Sequence, residues 1–177
     1  DIKKCIDTAQ TTLTEATELL LLPLHGSLPL VQQEQALLPS PDGKRKVVFT
    51  TNIAETSLTI EGITCVIDSG LEKTLTYDPT SGMTRLETGY ISKASAEQRK
   101  GRAGRTQPGH CIRLWDKTRH SSLQDYQEEE ILSADLTSTL LELSLWGADD
   151  YDQINWLTPP PKAHYDSAKA TLISLEL

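Results

Sequence analysis

Four cations fall within the eight residues Gln98-Arg99-Lys100-Gly101-Arg102-Ala103-Gly104-Arg105, a density suited neither to an apolar core nor to a neutral linker. Read as a helix, this segment places Gln98, Arg102 and Arg105 at i, i+4 and i+7, on one face, where they can converge on a single polyanion. Gly101 and Gly104 each cost about 1 kcal/mol relative to alanine inside a helix, so the pattern predicts a backbone that something must approach closely. Two arginines one turn apart suit the neutralisation of charge on a transferring phosphoryl group. Two plainer readings stand beside this one. Ser95 and Gln98 have the spacing of a capping box, in which Gln98 satisfies a backbone N–H, and the arginines can form a solvated basic face.

A second constellation runs from Thr50 through Thr51-Asn52-Ile53-Ala54-Glu55-Thr56-Ser57-Leu58-Thr59-Ile60 to Glu61, directly after an apolar strand-like run. Ligands of open parallel sheets bind beyond the carboxyl ends of the strands, where hydroxyl, amide and backbone N–H groups hold phosphates or ribose. The alternative is an ordinary strand-to-helix loop in which Thr51 or Asn52 caps the next turn.

The elements that must position these groups come from a chain of 177 residues with formal net charge −8. That total argues against a nucleic-acid partner, but the distribution reverses it: residues 91–119 hold 8 basic and 2 acidic side chains, against 2 and 11 in residues 120–177. Cys5, Cys65 and Cys111 are far apart and form no ligand cluster, so no metal site and no disulfide framework is expected, and a reducing cytosol is the default. The run Leu19 to Leu24, broken by Pro23, is far too short to span a bilayer, which predicts a soluble, cytoplasmic protein with no membrane partner. The chain opens at Asp1 without methionine and ends in an apolar run, so a fragment of a longer protein is expected.

Apolar positions Ile2, Ile6, Ala9 and Leu13 predict an amphipathic helix within residues 1–18. A strand at Leu19 to Leu24 and a helix from Pro29 to Leu38 follow, the latter stopped by Pro39-Ser40-Pro41-Asp42-Gly43. His25, after the strand, reads as a loop or core histidine. Lys46 to Thr51 and Ile63 to Ser69 read as strands buried on both faces, and the alternation with helices predicts a parallel α/β sheet. Thr74 to Tyr77 and Thr84 to Ile91 flank Asp78-Pro79-Thr80-Ser81-Gly82 as a β-hairpin. His110 to Trp115 is the last strand. Beyond a boundary near residue 120, Glu128-Glu129-Glu130 precede a leucine-rich helix of about four turns, Trp146-Gly147 stops it, and Pro159-Pro160-Pro161 lead into a helix from about Tyr165.

Taken together, Thr51 to Ile60 resembles motif V, and Gln98 to Arg105 motif VI, of the second RecA-like domain of superfamily 2 helicases of the DEAH class. Gln98 separates the chain from the DEAD-box relatives, which carry histidine there. Leu24-His25-Gly26-Ser27-Leu28-Pro29 is similar to motif IVa. Leu143-Ser144-Leu145-Trp146-Gly147 and Trp156-Leu157-Thr158-Pro159-Pro160-Pro161 resemble the opening of the winged-helix domain, most of all in the bacterial HrpB branch.

The resemblance implies a RecA-like α/β fold, a parallel sheet flanked by helices with a protruding, strand-separating or strand-guiding hairpin. Residues 1–119 would form this domain, its first strand lying upstream, and 120–177 the start of a winged-helix segment. Arg102 and Arg105 would be arginine fingers toward the γ-phosphate of ATP, with Mg²⁺, held mainly by an N-terminal RecA-like domain of the same polypeptide, and Gln98 would help position the attacking water. Thr51, Asn52 and Thr59 would contact single-stranded RNA. Glu61 stands where relatives often have an aspartate for the nucleotide ribose, and Leu37 where some offer an aromatic to stack on the base, which implies little discrimination among NTPs. The chain contains neither Gly-x-x-x-x-Gly-Lys-Ser/Thr nor Asp-Glu-Ala-His, so alone it is expected to hydrolyse nothing. The other readings are a non-catalytic nucleic-acid-binding module with a RecA-like fold and an interaction scaffold using the acidic C-terminal segment.

Overall fold

The computed structural model describes residues 1–13, 19–40, 43–56, 58–105, 107–148 and 150–176. Residues 1–72 with 90–126 form one compact unit, and residues 73–89 with 127–177 form another. Among the described residues, no helix is long and apolar enough to cross a membrane.

The first unit is built on two parallel strand pairs. Strand β1 (Leu19–Leu24) pairs with β2 (Arg45–Thr50) from Leu19 opposite Arg45 to Leu24 opposite Thr50. Helix α1 (Ile2–Thr12) and helix α2 (Leu30–Leu37) pack on this pair. The predicted first helix extended to residue 18, but residues 14–18 lie outside the described set. Leu22, Leu24, Ala36 and Ala54 form the core, with Val48, Ile53, Leu58 and Ile60 packed against it. The last carbonyls of α2 have no intrahelical donors, and neighbours supply them. Lys46 Nζ donates to Ala36 O at 2.9 Å and to Leu38 O at 2.8 Å, and Glu61 N donates to Leu37 O at 3.2 Å.

Strand β3 (Cys65–Asp68) pairs in parallel with β6 (His110–Arg113), Asp68 opposite Arg113, and helix α3 (Lys93–Lys100) packs on β3. The expectation of burial on both faces fails for this strand. Cys65 and Ile67 are exposed, Ile67 at 67%, because among the described residues of this unit α3 covers only the face carrying Asp68. Helix α4 (Lys117–Ser122) closes the unit, capped by Asp116 Oδ1, which accepts the Arg119 N–H at 2.6 Å.

The second unit joins the hairpin strands β4 (Leu71–Asp78) and β5 (Met83–Tyr90) to two helices; only the first two residues of β4 and the last of β5 belong to the first unit. The hairpin is longer than its β-branched segments suggested. At its tip the Asp78 carboxylate accepts from Thr80 N at 3.0 Å, Thr80 Oγ1 at 2.5 Å and Ser81 Oγ at 2.9 Å, while Gly82 N donates to Asp78 O. Next to this turn the buried Tyr77 donates its N–H to Ser133 O at 2.8 Å. Its hydroxyl lies 2.9 Å from Ser167 Oγ, and its ring meets His164 edge-on at 5.4 Å.

Helix α5 (Thr137–Leu145) is about half the predicted four turns. Ile131 and Leu132 lie instead in a separate 3₁₀ turn, Glu130–Leu132. Asp135 intervenes: its carboxylate accepts the Thr137 N–H at 3.0 Å and the Thr137 hydroxyl at 2.6 Å, a local alternative to helix that delays the start. The predicted stop is a Schellman motif, with Ala148 N bonded to Leu143 O, Gly147 N to Ser144 O, and Gly147 at φ +83°. Helix α6 (Lys162–Ser174) begins directly after the prolines, three residues before Tyr165. Leu136, Leu140, Tyr165, Ala168 and Leu172 form this unit's core, with Tyr151, Ile154 and Trp156 against it.

Two outcomes follow. Tyr77→Ala is expected to destabilise the second unit by about 3–5 kcal/mol in urea unfolding, whereas Tyr77→Phe loses about 1 kcal/mol, the value of one hydroxyl contact. The Thr80 and Ser81 hydrogen bonds lower the Asp78 pKa to about 2, so its stabilising role holds above the ordinary carboxylate range and disappears as pH falls through about 2. Carboxyl NMR of Asp78 should show that midpoint, and Thr80→Ala should move it toward the ordinary value.

Candidate nucleotide and nucleic-acid site

The site is assembled from the loop after β2, the carboxyl end of β3, and α3 with the turns that follow it. Helix α3 starts at Ser92, not at Ser95, so the capping-box reading of Gln98 is corrected: Ser92 Oγ accepts the Ser95 N–H at 3.1 Å, and Ser95 is buried. The preceding donors are also satisfied, Lys93 N by Gln124 O at 2.8 Å and Ala94 N by Asp125 O at 3.0 Å. The amino end of α3 is therefore closed to an anion, and the side chains beyond its other end carry the positive potential.

The arginine-rich segment is not one continuous helix. α3 ends at Lys100, Gly101 takes the C-cap at φ −61° and ψ −14°, and Arg102 N and Ala103 N turn back to Arg99 O and Lys100 O. Among the described residues nothing stands within 4 Å of where a Cβ on Gly104 would lie. A close approach within the chain occurs at Gly109. A Cβ on Gly109 would lie 2.2 Å from Ala103 O, and Ala103 is buried, so Gly109 lets the segment entering β6 press against the arginine turn.

Turning out of helix does not scatter the side chains. Gln98, Arg102 and Arg105 line one open pocket of about 320 Å³ together with Thr56 and Gly101. Arg102 donates through Nη1 to Leu58 O at 2.9 Å and through Nη2 to Thr56 O at 3.0 Å and to Glu55 O. Arg105 Nη1 donates to Thr59 Oγ1 at 2.5 Å. Partial burial and then the Arg105 charge lower the Arg102 pKa, with Glu55 opposing, and an anion received between the two guanidinium groups would relieve that repulsion.

The loop after β2 supplies the other wall. Thr51 N donates to Leu24 O at 3.2 Å and Thr51 Oγ1 caps the 3₁₀ turn Asn52–Ala54 by accepting from Ile53 N at 3.5 Å, while Glu55 N closes the turn on Asn52 O at 2.8 Å. Thr51 and Asn52 are exposed at the carboxyl end of β2, and neither lines the arginine pocket. Glu61 is exposed beside the end of α2, its backbone joined to Leu37, and it too lies outside the pocket lining. His25 sits in the turn after β1, its Nδ1 3.0 Å from Ser27 Oγ. Among the described residues no cluster of acidic, histidine or cysteine side chains could hold a metal ion.

Sequence reasoning passed over the residue that holds this arrangement together. Arg99 turns away from Gln98 and is buried at 14% side-chain exposure. Its Nε donates to Glu55 Oε2 at 2.9 Å, and its Nη1 donates to Asp68 Oδ1 at 3.0 Å and to Leu71 O at 3.1 Å. Glu55 and Asp68 are themselves 10% and 3% exposed. Burial disfavours the Arg99 cation, but the two carboxylates more than offset this and raise its pKa above the usual value. The available signal was Asp68, a charge at the end of the apolar run Cys65-Val66-Ile67, since a buried carboxylate implies a cationic partner.

The family model of the helicase conserved C-terminal domain matches residues 2–107, which contain both loops of the site. The chain belongs to that family, in its DEAH class. It is 47% identical over 156 residues to the ATP-dependent RNA helicase HrpB of Escherichia coli, covering 88% of this chain and 19% of that protein. To the probable ATP-dependent RNA helicase DHX34 of Homo sapiens it is 40% identical over 168 residues, covering 95% and 15%. A crystal structure of the Escherichia coli DEAH/RHA helicase HrpB superposes with a TM-score of 0.86 at 45% identity, covering 96% of this chain and 22% of the other. The chain thus spans about a fifth of the length of these relatives. The RecA-like α/β fold that the resemblance implied, with parallel strands flanked by helices, holds.

Removing Arg99 leaves two buried carboxylates without a cation. Arg99→Met is expected to destabilise the first unit by about 3–5 kcal/mol in denaturant titration, whereas the exposed-pair variant Lys100→Ala should change stability by less than about 0.5 kcal/mol.

Proposed function

We propose that this chain is the C-terminal motor domain of an ATP-dependent RNA helicase, acting within a longer cytoplasmic polypeptide. Its N-terminal RecA-like domain would hold ATP and Mg²⁺. The observation that supports this most directly is the convergence of Gln98, Arg102 and Arg105 on one open pocket, with both guanidinium groups resting on acceptors that a phosphate can replace. In this reading, closure of the two RecA-like domains brings Arg102 and Arg105 to the γ-phosphate, where fixed positive charge stabilises the charge that develops on the transferred group. Gln98 orients the attacking water through its amide. Glu61, exposed near Leu37, faces the ribose side of the nucleotide.

Thr51, Asn52 and Thr59 would hold the sugar-phosphate backbone of a single RNA strand. Contacts to backbone rather than bases permit movement along any sequence. The Arg105–Thr59 hydrogen bond joins the two functions, since one side chain proposed for phosphate rests on one proposed for RNA. We also propose that residues 1–119 form the second RecA-like domain and that 120–177 open a winged-helix segment. The presence of the Leu136–Leu172 core within a separate compact unit supports a change of domain.

The test is NTP hydrolysis by the full-length protein with and without single-stranded RNA. Arg102→Ala and Arg105→Ala are each expected to lower kcat by about 10³-fold or more, with a much smaller change in nucleotide affinity, as for arginine fingers generally. Near-normal turnover in both variants refutes the assignment.

A further inference from the structure

Glu55 is bonded on three sides, and each bond leads to a different part of the site. Its N–H closes the 3₁₀ turn on Asn52 O, its carboxylate accepts from Arg99 Nε, and its carbonyl accepts from Arg102 Nη2. The path from the exposed Asn52 to the pocket-lining Arg102 therefore runs through one residue, and Arg99 decides where that residue's side chain stands. The same guanidinium reaches Asp68 and Leu71 O, so it also ties this loop to the end of β3 and the first residue of β4. Asp68 Oδ1 additionally accepts the Gly70 N–H at 3.0 Å, while its buried Oδ2 has no hydrogen-bond partner among the described residues, so Arg99 is the cation on which this carboxylate relies.

Resting on the proposed helicase reading, we infer that Arg99 is a positioning residue that couples nucleic acid held at Thr51 and Asn52 to the placement of Arg102, through Glu55. Arg99 lines no part of the pocket; it acts by holding the loop whose carbonyls receive Arg102. A strand bound at Asn52 shifts or stiffens the turn closed by Glu55. With Glu55 clamped to α3 by Arg99, that change is delivered to the arginine turn rather than absorbed by the loop. Planar, forked donors are needed for this, because three acceptors from three chain segments are engaged at once, which a lysine ammonium on its flexible stem cannot reproduce.

The discriminating variant is Arg99→Lys in the full-length protein, which keeps the charge between the buried carboxylates. NTP hydrolysis is measured with and without saturating poly(U), and folding is followed by circular dichroism. The stimulation ratio is expected to fall about tenfold, because kcat with poly(U) drops about tenfold further than unstimulated kcat, with the NTP KM within about twofold of wild type. A folded Arg99→Lys protein with normal stimulation, or one losing the same fraction of activity with and without poly(U), overturns the inference. A second pair keeps the test independent of how Arg99 variants fold. Glu55→Gln retains an acceptor for Nε and should keep most of the stimulation, Glu55→Ala should lose it, and equal behaviour of the two would overturn the inference as well. A wild-type protein whose hydrolysis poly(U) does not stimulate overturns the helicase reading together with this inference, whereas a stimulated wild type beside a normally stimulated Arg99→Lys overturns the inference alone.

Discussion

The buried contact of Arg99 with Glu55 and Asp68 is the constraint around which the site is arranged. Three chain segments far apart in sequence meet there: the loop after β2, the end of β3, and the last turn of α3. Two carboxylates removed from water would repel each other and carry a large desolvation cost, and a forked cation between them resolves both problems at once. The exposed residues named for function are carried on the same short segments, so their mutual distances inherit the rigidity of this interior ion cluster.

Arg102 and Arg105 show how a basic segment with little packing of its own is kept in order. Among the described residues neither has a carboxylate hydrogen-bonded to its guanidinium; they use peptide carbonyls and a hydroxyl. Neutral acceptors hold a guanidinium less tightly than an ion pair does, and a phosphate offers stronger charge-assisted bonds in the same geometry. Arg99 has the opposite arrangement, with charged partners and a side chain only 14% exposed. The three arginines of one motif are thus divided between an anchored cation and two exchangeable ones. Gly109, by letting a backbone press against Ala103, sets where the exchangeable pair emerges.

The hairpin illustrates how far local signals reach. Asp78-Pro79-Thr80-Ser81-Gly82 announces a reversal because its carboxylate and hydroxyls satisfy the turn locally. What anchors the hairpin, however, is Tyr77 against His164 and Ser167, ninety residues away, and no local pattern carries that pairing. The shortening of α5, by contrast, has a local origin: the leucine spacing continues upstream while Asp135 diverts the backbone through its bonds to Thr137.

From sequence alone, the positions of the six described strands, the stop at Gly147, the segregation of basic charge into residues 91–119 and the gathering of Gln98, Arg102 and Arg105 on one side were legible. Those properties follow from hydrophobic period, turn chemistry and charge spacing, which act over a few residues. Tertiary structure alone decided that the arginines leave the helix after Lys100, that Ser92 caps it, that one face of β3 stays open, and that Arg99 faces inward while Gln98, Arg102 and Arg105 line the pocket. A cation's role depends on which distant acceptors surround it, and Glu55, Asp68 and Thr59 reach their partners only when the strands bring together residues separated by 31 to 46 positions.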